Sequence, residues 1–103
     1  MDHCELLDTN FIVACNRYSK KLDDLPEMVH MFLEFSGSYE SSVRERVIFA
    51  SKLCLEDCGC SSFIATSDAS ERRQLWSARY QLYYALLALR PSSLGTVTDV
   101  CVP

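Results

Sequence analysis

Glycine and proline are scarce, three of each in 103 residues, which excludes a collagen-like or disordered body and leaves few places for tight turns. No apolar run reaches the roughly 18 residues that a membrane span needs. The start, Met1-Asp2-His3-Cys4-Glu5, lacks the basic flank and apolar stretch of a secretory leader. Basic charge is also short: ten Lys and Arg against fourteen Asp and Glu give a formal net charge of −4, a poor match to a protein that coats nucleic acid. Missing too are a Ser/His/Asp or Cys/His pattern, a phosphate-cradling glycine-rich loop, a complete metal motif and a solenoid-length repeat. Together these absences predict a cytosolic or nuclear, non-enzymatic protein with no cofactor and no small-molecule substrate. In such a reducing compartment the six cysteines are expected as free thiols and not as a disulfide scaffold.

What is present is 49% hydrophobic and 23% charged residues, a globular composition of single-domain length. With so few breakers the apolar spacing predicts an all-α, compact four-helix bundle over 1–90, followed by an irregular tail over 91–103. Leu7, Phe11, Ala14 or Cys15, Tyr18 and Leu22 recur at steps of three and four, giving a helix near 3–21 with Asp2 and Glu5 as its capping box. A start at Asp8 or Thr9 is the alternative, because Thr9 and Asn10 are weak helix formers. Asp24-Leu25-Pro26-Glu27 predicts the next start, for a helix over 25–35 stopped by a left-handed Gly37. Ser42 with Glu45 starts a third helix, 42–57, ended by Gly59, and Asp68 with Glu71 starts a fourth, 68–89, closed by Arg90 and Pro91. The segment Tyr80–Leu89 is apolar nearly all round, and such a helix must be covered by its own core or by a partner.

Three groups of residues carry the functional expectations. Wide apolar stripes on the second and fourth helices single out Met28, Met31, Phe35, Trp76, Tyr80 and Tyr84, residue types enriched at interface centres. They predict a protein-interaction module that self-associates as a homo-oligomer, in the manner of a regulatory or adaptor factor such as a virus-encoded host-binding protein. Arg44, Arg46 and Lys52 on the third helix, with Arg72, Arg73 and Arg79 on the fourth, form a basic strip if those helices lie side by side, which gives the alternative of a helical dimer on duplex phosphates. Cys54, Cys58 and Cys60 offer three thiolates at a helix end for zinc, one short of a tetrahedral site. The same Cys58-Gly59-Cys60 stretch reads as an accessible redox or acylation site, although Glu56 and Asp57 oppose thiolate formation.

Overall fold

The computed structural model describes residues 1–18 and 25–103. The chain is mixed α/β: β1 (His3–Leu7), α1 (Thr9–Tyr18), β2 (His30–Glu34), α2 (Glu40–Lys52), α3 (Ala69–Tyr80) and α4 (Leu82–Leu89), with α2 continued by one wide helical turn over Leu53–Asp57. β1 and β2 form a two-stranded antiparallel ribbon that pairs His3 with Glu34, Glu5 with Phe32 and Leu7 with His30. The all-α bundle is therefore corrected at its first two helices. Residues 3–7 alternate His, Glu and Leu to one side and Cys and Leu to the other, and 30–34 match them in register. Leu, Met and Glu are good helix formers in isolation, but a paired partner strand outweighs that weak preference.

Asp2 extends the ribbon. Its backbone N–H donates to the Glu34 carbonyl at 2.8 Å, and its carboxylate accepts from the Ser36 N–H at 2.5 Å. Hydrogen bonding from the Ser36 side chain and backbone holds the Asp2 carboxyl below its ordinary value. This contact is intact at neutral pH and is lost as acid protonates the carboxylate.

α1 begins at Thr9, with Asp8 accepting from the Phe11 N–H at 2.9 Å. The end of the predicted first helix at 19–21, its stripe residue Leu22 and the cap Asp24 lie outside the described residues. The predicted helix 25–35 is instead β2 and the turn before it, in which Asn16 grips Leu25 with both amide atoms: Nδ2 donates to its carbonyl at 2.7 Å and Oδ1 accepts from its N–H at 3.0 Å. Gly37 is not left-handed. A Cβ there would stand 2.7 Å from the Arg46 guanidinium, which donates to the Ser36 carbonyl, so glycine provides room for that side chain. The third helix starts two residues early, at Glu40, without a side-chain cap. Asp68 does cap α3, accepting from the Ser70 and Glu71 N–H groups at 2.9 Å.

The predicted single helix 68–89 breaks at Gln81 (φ −87°, ψ 0°) into α3 and α4. The break lets α3 face the ribbon while α4 lies on α1. Ala14 and Ala85, both buried, let α1 and α4 approach closely, and Cys15, Ala78 and Leu82 complete the cluster with Phe11 and Leu86 against it. Cys15 donates to the Ala78 carbonyl at 3.6 Å, and burial pushes its thiol up. Leu7 and Ile12 are the two largest fully buried side chains.

That core is small. Among the described residues α2 buries none of its own, and the radius of gyration of 15.4 Å exceeds the roughly 13 Å of a compact domain of this length. The outer face of the ribbon, Cys4, Leu6, Met31 and Leu33, is open, with Leu6 66% and Met31 56% exposed. α4 is covered by α1 on one side, while Tyr84 on the other is 61% exposed. Two kinds of substitution should separate these regions. Ala85→Leu overpacks the α1–α4 contact and should lower stability by about 1–3 kcal/mol, whereas Leu6→Lys or Met31→Lys on the open face should change it by less than about 0.5 kcal/mol, both read from urea unfolding midpoints.

Candidate functional site

The inner face of the ribbon presents His3, Glu5 and Leu7 from β1 and His30, Phe32 and Glu34 from β2, because alternate residues of paired strands share a face. α3 lies over this face one turn at a time. Trp76 meets the His3 ring at 5.8 Å and the Phe32 ring at 5.9 Å, the latter edge-on at 89°, and lies 6.5 Å from Tyr80. Three residues on, the Arg79 Nε donates to Glu5 Oε2 at 3.1 Å, each side chain about one third exposed (37% and 34%). His3 Nδ1 stands 3.1 Å from Glu34 Oε2 across the ribbon. An aromatic wall thus adjoins an arginine whose Nε is held by a carboxylate and whose terminal N–H groups belong to a planar fork suited to carboxylates.

The residues singled out in the sequence are dispersed. Met31 lies on the open face of the ribbon and Trp76 across its inner face, so the six interface residues do not form one patch. Met28, Tyr80 and Tyr84 are exposed, and Phe35 is half-buried. The basic strip does not assemble, because α2 and α3 are not packed side by side. Arg44 pairs with Glu40 at 3.1 Å, Arg46 turns to the Ser36 and Ser42 carbonyls, Arg79 pairs with Glu5, and Lys52, Arg72 and Arg73 point to solvent. Cys58 and Cys60 are exposed and Cys54 half-buried, and no group among the described residues is arranged to hold a metal ion. Missed in the sequence was the shared strand face of His3 and Glu5, the latter read only as a helix cap, and with it the site-facing placement of Phe32 and Glu34. The signal for the first two was the alternation His3-x-Glu5-x-Leu7, which a helical reading of the segment hides.

The chain offers no cradle for a dinucleotide among its described residues. The larger groove, about 280 Å³, is lined by Ala14, Arg17, Tyr18, Ala85, Ala88 and Leu89, below the roughly 300–1,000 Å³ of ordinary small-molecule sites. Arg17 and Tyr18 bring polar groups to walls otherwise made of alanine and leucine side chains. The one left-handed glycine, Gly59, stands alone at a helix end and not in a phosphate loop.

The sequence profile described as FAD linked oxidases, C-terminal domain, matches residues 1–103. The chain is 39% identical over 99 residues to the probable D-lactate dehydrogenase, mitochondrial, of Danio rerio, covering 96% of this chain and 19% of that protein. It is 31% identical over 99 residues to D-lactate dehydrogenase [cytochrome], mitochondrial, of Arabidopsis thaliana, covering 96% of this chain and 17% of that protein. The chain thus spans about a fifth of the length of these curated relatives. No solved structure matches.

These matches overturn the functional expectations drawn from absences. An adaptor or regulatory factor without catalytic role gives way to a family of enzymes, and an expectation of no cofactor, or of zinc, gives way to a flavin-linked one. The cytosolic or nuclear expectation is overturned by relatives that are mitochondrial. The physical reason is common to all three: the match spans about a fifth of the relatives' length, and motifs absent from such a stretch exclude neither a cofactor, nor chemistry, nor an address. Trp76, the only tryptophan, reports on the ribbon–α3 contact. Phe32→Ala should leave its indole wetter, moving its fluorescence emission to longer wavelength, whereas Met31→Ala on the opposite face should leave emission unchanged.

Proposed function

The chain belongs to the FAD-linked oxidase C-terminal-domain family, and from that premise we propose that it is the substrate-side segment of a mitochondrial, flavin-dependent D-lactate dehydrogenase. The similarity over 96% of the chain to two proteins of that name supports the reading. On this reading the flavin is held mainly by other parts of such an enzyme, in keeping with the lack of a dinucleotide cradle among the described residues. This segment contributes an anchor for the substrate's carboxylate.

Arg79 is the observation that carries the assignment. A 2-hydroxy acid anion needs a cation with paired donors beside an apolar wall, and Arg79 is a partly buried cation next to an indole ring, oriented through Nε by Glu5 at 3.1 Å. Its remaining N–H groups can form a bidentate pair with a carboxylate, while Trp76 and Phe32 shield the methyl side of a small acid from water. The exposed apolar residues of the open ribbon face and of α4 are proposed to be covered by polypeptide, consistent with the expectation of a protein partner. That cover is the remainder of a dehydrogenase of the relatives' length.

In the flavin-loaded enzyme purified from its own source, Arg79→Met should raise KM for D-lactate roughly ten- to a hundredfold, the loss of a charged hydrogen-bond pair. Flavin content and turnover of a dye acceptor by a nonphysiological reductant should stay unchanged. An unaltered KM, or loss of bound flavin in step with activity, would sink the assignment.

A further inference from the structure

The end of α2 carries chemistry that the proposed dehydrogenase role leaves unused. Past Lys52 the helix widens by one residue per turn, and the Cys58 N–H reaches the Leu53 carbonyl at 3.1 Å. Gly59, left-handed at φ +67°, then turns the chain back so that the Cys60 N–H donates to the Cys54 carbonyl at 2.9 Å. A direct backbone bond of that length holds the two Cα atoms roughly 5–6.5 Å apart. Disulfides close over Cα separations of about 4.4–6.8 Å. Cys58 is less well placed against Cys54, because residues four apart on a helical turn hold their Cβ atoms about 5–6 Å apart, beyond the roughly 3.5–4.5 Å of a disulfide.

We propose that Cys54 and Cys60 are a redox pair that closes a reversible disulfide across the wide turn when a small-molecule disulfide such as oxidised glutathione is supplied. Cys60 is exposed, and its Sγ–H donates to the Ser62 carbonyl at 2.9 Å. It reacts first: its thiolate attacks one sulfur of the oxidant, forming a mixed disulfide and expelling one glutathione thiolate, which takes up the proton Cys60 released. Cys54 then attacks the protein-side sulfur, the Cys54–Cys60 bond forms, and the second glutathione leaves with the Cys54 proton. The protein loses two electrons and two protons, and one glutathione disulfide becomes two thiols. Desolvation, with Cys58 and Cys60 nearby, pushes the Cys54 thiol up, which suits a slow resolving thiol better than an initiating one. With a slow resolving thiol, the pair answers to a sustained change in redox poise.

The native protein, incubated with oxidised glutathione, alkylated and digested, tests this directly. Trypsin releases 53–72 with all three cysteines, and further cleavage after Glu56 separates Cys54 from Cys58 and Cys60. The two halves should remain joined until reduced, with two of the six thiols lost to alkylation. The link should vanish in Cys54→Ser and Cys60→Ser and persist in Cys58→Ser. Halves that separate, whether because each thiol carries glutathione singly or because Cys58 is joined to Cys60, overturn the proposal, as does a link that Cys58→Ser abolishes. Where a variant loses its helix, fragmentation of the linked wild-type peptide decides: the alkyl group should sit on Cys58, and an alkylated Cys60 joined through Cys58 overturns the proposal.

Discussion

The pairing of β1 with β2 is the constraint on which the rest of the structure depends. A shift of one residue would turn Leu7 out of the core and put Leu6 in its place, and would carry His3 and Glu5 away from α3. The register is fixed from both sides. The backbone ladder runs on from Asp2 N–H to the Glu34 carbonyl, the Asp2 carboxylate accepts from the Ser36 N–H, and His3 and Glu34 meet across the strands. With Leu7 inside, α1 follows after a single residue and is set to pack on α4. The aromatic and arginine side chains of α3 then find an inner face already furnished with complementary groups. The aromatic and arginine cluster is in this sense a product of strand register and not of any motif.

Much of the helical part was legible in the sequence. Asp68 and Glu71 mark the start of α3, Gly59 the end of the wide turn, and Pro91 the limit of α4, because caps and breakers act through neighbouring backbone groups. The ribbon was not legible. Its two strands are 22 residues apart, from Leu7 to His30, and each alone reads as part of an apolar helix because Leu, Met and Glu suit either state. The break at Gln81 left no trace either, since neither glycine nor proline marks it. Arg79 was noticed, but among phosphate-binding arginines on charge alone. Only Glu5, brought to it by the ribbon, shows it as an oriented and half-shielded donor.

The functional misreading has the same root. Absent motifs do not exclude chemistry, because the activity of an enzyme is distributed over parts that need not each contain one. Of the residues that suggested a self-associating adaptor, Met31, Tyr80 and Tyr84 are exposed, and Leu6 on β1 adds to them from outside the predicted stripes. The family gives such surface a second reading, because in a protein of the relatives' length apolar surface of this kind can rest against another part of the same polypeptide.

The open face of the ribbon bears on the cell's handling of the polypeptide. Leu6 and Met31 lie side by side on paired strands whose outer backbone groups have no further strand to meet within the described residues. Apolar side chains on a free strand edge are what chaperones bind and what promotes aggregation. On the proposed reading, in which further polypeptide covers this face, synthesis sets a deadline: until the cover arrives the chain is open to holdases and proteases, and its abundance follows how quickly that happens.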